Sequence, residues 1–226
     1  MTAGEGGGAQ AVESPTDRLR LILGDEGLRR LRDARVMVVG LGGVGSACAE
    51  ALYDDPVAHF RAEVAREMAL DINPDADVTA CHMFVERDRL EEQLGALGPV
   101  DYVVDAIDTV GQKLRLAAWC QGQGLPEVSA MGGANKLDPC RLRFASIEET
   151  VNCPLARVMR KECRRRGIRG LQVLFSDEEP VRMERISDER WLEEGPLLGT
   201  MSYLPPIMGQ MLASRVIRDL LGWEVA

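Results

Sequence analysis

The chain lacks paired cysteines. Its six, Cys48, Cys81, Cys120, Cys140, Cys153 and Cys163, include no CxxC, which argues against a zinc site and against a disulfide scaffold. A reducing cytoplasm is the setting this usage predicts. Histidine is scarce: with only His59 and His82, a histidine triad or a histidine-rich metal centre is disfavoured. No apolar run is long enough to span a bilayer, so no membrane partner is expected. The start, "MTAGEGGGAQAVESPT", has neither the basic opening nor the apolar middle of a signal peptide and reads as a loose tail over residues 1–16. Net positive charge is also missing. The formal net charge is −9 and the pI about 4.9, which disfavours general coating of nucleic acid. There is no repeat and no strong linker, so residues 17–226 read as one domain.

The 226 residues are enough for one sizeable core. "RVMVVG" is a continuous apolar run of buried-strand type. Before it, "DRLRLILGDEGLRRLRDA" carries Leu19, Ile22, Leu28 and Leu31 at helical spacing around a glycine break. "HFRAEVAREMALDI" places Phe60, Val64, Met68 and Ile72 on one helical stripe. "ADVTACHMF" reads as a strand, "RDRLEEQLGAL" as a helix, "VDYVVDAI" as a buried strand. "VGQKLRLAAWCQGQG" is a helix stopped by glycine, and "PEVSAM" a further strand. This alternation predicts an α/β, Rossmann-like fold, a mainly parallel sheet flanked by helices. After Gly132 the rhythm changes to a C-terminal mixed-sheet extension. There "CRLRFASI" and "LQVLFS" are strands separated by an arginine-rich helix, and "DERWLEEGPLLGTMSY" is loop-like. A last amphipathic helix is expected after Pro205-Pro206.

"GLGGVG", following a strand and opening a helix, meets the structural condition for a phosphate loop. Gly40 permits the tight turn, Gly42 and Gly43 let phosphate oxygens approach backbone N–H groups, and Gly45 allows close packing of helix on strand. The helix N-terminus adds attraction for an anion. Without a lysine and a Ser/Thr at the required spacing this is not a Walker loop, and the motif alone leaves NAD, FAD and ATP open. In "VDYVVDAIDTVGQK", Asp105 and Asp108 fall at the carboxyl end of a strand, where open α/β sheets bind ligands. A carboxylate there can hold magnesium beside a triphosphate, or simply cap the next helix. Lys113 follows within reach of a phosphate. "ARVMRKECRRRGIRG" sets Arg157, Arg160, Lys161 and Arg164 on one helical face, with Arg165, Arg166 and Arg169 nearby. That run is either a solvated surface or a phosphate-contacting patch on an otherwise acidic protein.

These segments, "VMVVGLGGVGS", "VVDAIDTVGQK", "MGGANKLDP", "PLARVMRKECRRRGI" and "YLPPIMGQMLASRVIRDLLG", resemble the ThiF/HesA/MoeB superfamily, the relatives of ubiquitin-activating enzymes. Within it they are similar to the tRNA threonylcarbamoyladenosine dehydratases. Five motifs in order, over nearly all of the chain beyond the tail, make the likeness specific. The absent CxxC pairs fit this branch better than the zinc-containing activators of sulfur carriers. The resemblance implies ATP and Mg2+, with adenylation of the carboxylate of threonylcarbamoyladenosine at position 37 of tRNA, followed by cyclisation with net loss of water. It implies that Gly40, Gly42, Gly43 and Gly45 cradle the nucleotide, and that Asp108 holds magnesium with help from Asp105. It makes Lys113 the basic residue after "DAID" and sets Arg61 where a phosphate-binding lysine is usual, the charge kept and the geometry altered. Cys153 in "NCPLAR" becomes a candidate nucleophile, although cysteines are commonly inert core residues. The arginine run becomes a candidate tRNA contact. A homodimer and sulfur-transfer partner proteins belong to the same expectation.

One part of the pattern is missing. The family places a strand, an acidic residue for the ribose and an arginine-bearing stretch after the glycine-loop helix; here "AEALYDD" runs almost directly into "PVAHFRAEV". Glu63 and Glu67 stand about 20 residues beyond the loop, the usual distance for a ribose acid, but inside a helical pattern, and are not given that role. Three alternatives therefore stand beside the dehydratase. One is a catalytically impaired nucleotide- or partner-binding member. Another is an activator of a small sulfur-carrier protein. The third, a nicotinamide dehydrogenase, is disfavoured by the doubled glycine and the "DAID…K" stretch.

Overall fold

A computed structural model describes residues 16–54, 63–81, 89–182 and 198–223 of the chain. The order of elements is α1 (Asp17–Asp33), β1 (Val36–Val39), α2 (Gly43–Asp54), α3 (Glu63–Ile72), α4 (Leu90–Gly95), β2 (Tyr102–Asp105), α5 (Val110–Gln123), β3 (Glu127–Ala130), β4 (Leu142–Ser146), α6 (Pro154–Arg166), β5 (Gln172–Ser176) and α7 (Leu204–Leu221). Five strands form one sheet in the order β1-β2-β3-β5-β4. The first three contacts are parallel, with Val39 opposite Asp105 and Asp105 opposite Ser129; β4 closes the far side antiparallel to β5. The expected mainly parallel sheet with a mixed C-terminal extension is what forms.

β1, β2, β3 and β5 are largely buried on both faces, as apolar runs such as "VMVV" and "YVVD" require, while β4 at the far edge is only partly buried. α2 and α7 lie together over one face around Leu52, Leu212 and Val216. Gly209 allows that approach: a Cβ there would stand 2.5 Å from the Val44 carbonyl oxygen. α5 and α6 cover the neighbouring region through Leu114, Met159 and Cys163. α5 and α6 each stop at a glycine in the left-handed region, Gly124 and Gly167. α1 carries the anticipated break at Gly24, with φ 65° and ψ 178°. Its Leu28 and Leu31 are buried, but Ile22 stands out in solvent.

Three expectations change. α7 begins at Leu204, ahead of its two prolines rather than after them; Pro205 and Pro206 occupy the first turn, where no N–H is needed. The expected strand "ADVTACHMF" is irregular chain over residues 76–81, its remainder lying outside the described residues. Two residues of the α3 stripe do not face the core: Met68 is 46% and Ile72 41% exposed, while Ala69 is fully buried; Phe60 and the Val64 side chain lie outside the described residues. The last two share a cause. β1 is an edge strand, with no partner on its outer side among the described residues. A strand forms only where a neighbour satisfies its backbone, and a helix buries its stripe only where a sheet lies beneath it.

Candidate nucleotide site

The glycine loop joins β1 to α2. Gly40 has φ 93°, a conformation glycine adopts freely. A Cβ on Gly40 would sit 2.7 Å from the Ala106 carbonyl oxygen, and one on Gly45 would sit 1.9 Å from the Gly40 oxygen. These two glycines let the loop lie directly on the Ala106–Asp108 turn. Gly43 opens α2 and faces Pro205 of α7 at 3.1 Å from its absent Cβ, whereas Gly42 faces open space. The four roles assigned from sequence thus divide. Gly40 and Gly45 are used for packing of chain on chain, Gly43 for packing against α7, and Gly42 leaves room for a ligand beside the first-turn N–H groups of α2, which a helix cannot satisfy internally.

On the neighbouring strand the two aspartates have different fates. Asp108 is exposed, at the carboxyl end of the sheet. Asp105 is buried. Its Oδ1 accepts the Ile107 N–H at 3.0 Å, and its Oδ2 accepts the Ser129 hydroxyl at 2.7 Å. Lys113, read from sequence as meeting a phosphate, is fully buried with Nζ 2.9 Å from Asp105 Oδ2. So Asp105 and Lys113, both expected at the nucleotide, are bound to each other. An exposed carboxylate beside a glycine loop with open space is a donor set that suits a hard cation and a phosphate chain. Arg61, also expected at the phosphates, lies outside the described residues, as do His59 and His82. Among the described residues no group of three or more acidic, histidine or cysteine side chains is gathered into a metal cage.

Cys153 is buried at the N-cap of α6, where its Sγ accepts the Ala156 N–H at 3.5 Å. Capping and burial account for it structurally. Burial pushes the thiols of Cys48 and Cys163 up to about 12 and 11, and that of Cys120 up as well, which makes these poor nucleophiles. Sequence reading missed Lys136. It is buried within "GGANKLDP", its ammonium donates to the carbonyls of Asn152, at 3.0 Å, and of Glu178, and burial pushes its pKa down. Only the presence of a charge within a glycine-rich, strand-end segment signalled it.

The arginine run lies on α6 as expected, but its members differ. Arg160 turns inward to the Thr150 hydroxyl at 2.7 Å. Arg165 and Arg166 pair with Glu162 at 2.8 and 3.8 Å. Arg157, Lys161 and Arg164 are exposed at i, i+4 and i+7 and make no ion pair with a described residue. Two hollows, of about 830 and 330 Å³, share Tyr102, Pro126, Arg215 and Asp219. They lie at the amino ends of β2 and β3, opposite the glycine loop, and are not part of this site. No described helix is long and apolar enough to cross a membrane.

The ThiF family profile matches residues 52–226, well over half of the chain. The chain belongs to the ThiF family. A relative in Bacillus subtilis, tRNA threonylcarbamoyladenosine dehydratase, is 34% identical over 90% of this chain and 93% of its own length. The Escherichia coli protein of the same name is 29% identical over 70% of this chain and 71% of its own length. The crystal structure of E. coli TcdA, tRNA N6-threonylcarbamoyladenosine dehydratase, in complex with ATP superposes with a TM-score of 0.77, at 25% identity over 93% of this chain and 98% of that one. The Bacillus alignment runs over 239 positions, more than the 226 residues of this ThiF-family chain, so the relative carries residues with no counterpart here.

Proposed function

We infer that this chain is an ATP-dependent tRNA dehydratase, which adenylates the carboxylate of threonylcarbamoyladenosine at position 37 and cyclises it. The observation that carries this reading is the packing of the glycine loop on the Ala106–Asp108 turn, which puts an exposed carboxylate beside open space at a helix N-terminus. The substrate is taken from the Bacillus relative, which aligns along 93% of its own length.

The chemistry is direct. A carboxylate oxygen is a poor leaving group, and AMP is a good one. The protein's work is to hold the carboxylate against the α-phosphate and to stabilise spreading negative charge. In this reading Gly42 and the first-turn amides of α2 meet phosphate oxygens, with Gly40, Gly43 and Gly45 shaping the loop. Asp108 holds Mg2+, which supplies charge neutralisation when bound. Arg61 adds positive charge, and Cys153 is kept as the candidate acyl acceptor. Arg157, Lys161 and Arg164 form the stripe that meets the tRNA backbone, with Arg160 and Arg165 at its border. Residues 17–226 act as one domain in a cytoplasmic homodimer, with sulfur-transfer proteins as further partners.

The test is to supply the purified chain with Mg-ATP and tRNA. AMP and pyrophosphate should appear only with threonylcarbamoyladenosine-containing tRNA, and nucleoside analysis should show the cyclic product. Turnover with a Gly-Gly-ended carrier protein instead would move the function to sulfur-carrier activation. A second reading, an impaired nucleotide-binding member, is favoured by the lack of an outer partner for β1 among the described residues and by the residues the Bacillus relative has in excess. ATP binding without AMP release is its signature.

A further inference from the structure

We propose that Lys113 and Asp105 are positioning residues for the adenylating site, a buried ionic strut that fixes the turn bearing Asp108 against the glycine loop. The proposal rests on the ATP-dependent reading above. Their side chains are 0% and 1% exposed and 2.9 Å apart. An ion pair this deep is weak support for stability, because desolvation offsets most of its attraction; an apolar pair of similar volume serves the core as well. Its geometry shows another use.

Asp105 spends each oxygen on a different element. Oδ2 receives the Ser129 hydroxyl from β3 and the Lys113 ammonium from α5, while Oδ1 receives the Ile107 N–H. The last bond sets the backbone of the turn one residue before Asp108. The same turn is the surface on which Gly40 rests, its absent Cβ 2.7 Å from Ala106 O and 3.0 Å from Ile107 N. Gly45 then closes on Gly40 and on Ala106 Cβ. A shift of the Asp105 carboxylate therefore moves the cation-bearing turn and the phosphate loop together, and displacements of this kind are costly in rate. Lys113 holds the carboxylate in place without touching the nucleotide. Its Nζ makes no well-directed hydrogen bond to a described atom, so its contribution is a charge facing Asp105. Glu127, the other carboxyl acting on this group, has a buried Oε1 without a partner and does not take the lysine away from Asp105.

The alternative is that Lys113 leaves the core to contact a phosphate, and a double-mutant cycle separates the two. Lys113→Met, Asp105→Asn and the double variant are compared for AMP formation with modified tRNA, and for the Mg2+ concentration giving half-maximal rate. Under the proposal each single variant loses about tenfold or more in kcat and shifts the Mg2+ half-saturation upward by a similar factor. The double variant is then no worse than the poorer single, because both remove one device. The KM for tRNA stays put. Effects that multiply, with Lys113→Met raising the KM for ATP and leaving the Mg2+ dependence unchanged, overturn the proposal in favour of a phosphate contact. Ser129→Ala covers the case in which a variant fails to fold: it removes one bond to Asp105 Oδ2 and should raise the Mg2+ half-saturation about threefold, no change counting against the strut. Calorimetry of the unmodified chain with Mg-ATP separates the two levels of failure. Absence of binding removes the functional reading itself, whereas binding and turnover with multiplicative variants remove only the strut.

Discussion

The two flanks of the sheet are built to different standards. On the β3-β5-β4 side the sheet also ends in an edge strand, β4, but α5 and α6 bury their stripes there, and the cysteines and methionines between them are dry. On the β1 side no further strand pairs among the described residues, residues 76–81 are irregular, and Met68 and Ile72 of α3 are partly exposed. Composition does not separate these regions, since both carry apolar residues at proper spacing. What separates them is how much of each pattern is covered: on the β1 side Ala69, Ala76 and Val78 join the core while Met68 and Ile72 do not. The glycine loop is anchored by the chain that follows β2 and closed from above by α7.

The largest effect is expected at that loop. Gly45→Val puts a branched side chain where a Cβ alone already lies 1.9 Å from the Gly40 carbonyl oxygen and 3.2 Å from Ala106 Cβ. The obstacle is backbone, which cannot swing aside. The loop must lift from the turn, and Mg-ATP binding should vanish in calorimetry. Stability should fall by about 3 kcal/mol or more, at and beyond the upper end of overpacking costs. Near-normal ATP affinity in this variant would show that the loop is not held by the β2 turn.

Within the β3-β5-β4 flank, Met159→Ala tests how well the core is closed. Met159 is 0% exposed among Leu114, Ile147 and Val173. Truncation removes transfer energy and leaves a cavity, for about 2–5 kcal/mol. In a chain of this size that is a fall in Tm of about 5–15 °C by calorimetry. A loss below about 1 kcal/mol would mean that this flank is no tighter than the other.

The same flank contains one unfinished feature. Burial, then the charge of Asp105, raise the Glu127 carboxyl from 4.5 to about 8, with Lys113 pulling the other way. Below pH 4.5 both folded and unfolded chains hold the proton and the residue costs nothing. As pH climbs from there to 8 the unfolded chain releases its proton first, so folding loses stability. Glu127→Gln has no proton to release. Its Tm relative to the parent chain should rise across this window and stay level above it. A pH-independent difference would place the ionised carboxylate in water.

The sequence revealed most where the determinants are local. The buried strands, the glycine stops of α5 and α6, the break at Gly24 and the loop after β1 all follow from short patterns with a steric or hydrogen-bonding cause. What it hid depends on partners distant in the chain. Lys113 reads as a phosphate ligand and Arg160 as part of a cationic face, and only the fold shows Asp105 beside the one and Thr150 beside the other. Lys136 gives no periodic signal, because its partners are carbonyls of Asn152 and Glu178 brought in by two other segments. "ADVTACHMF" satisfies every local rule for a strand, and over residues 76–81 the outcome turns on a neighbour that the residue pattern does not record.

The smallest effect belongs to the β1 flank and bears most directly on the comparison. Met68 and Ile72 stand at i, i+4 on α3, 46% and 41% exposed, while Ala69 takes the inward position. Replacing both by serine removes apolar area that is already partly in water, so stability should change by no more than about 0.5 kcal/mol, the ordinary range for surface sites. Serine also lowers helix propensity slightly relative to methionine, by a few tenths of a kcal/mol, which sets the sign expected if nothing else contacts the stripe. A loss of about 2 kcal/mol or more would mean that the stripe is covered in solution. Repeating the melt across a hundredfold range of protein concentration then identifies the cover. A loss that grows with concentration is an intermolecular contact along the β1 side of the sheet, because only association responds to mass action. A loss independent of concentration assigns the cover to the chain itself, and the two flanks would then differ less than the exposure of α3 indicates.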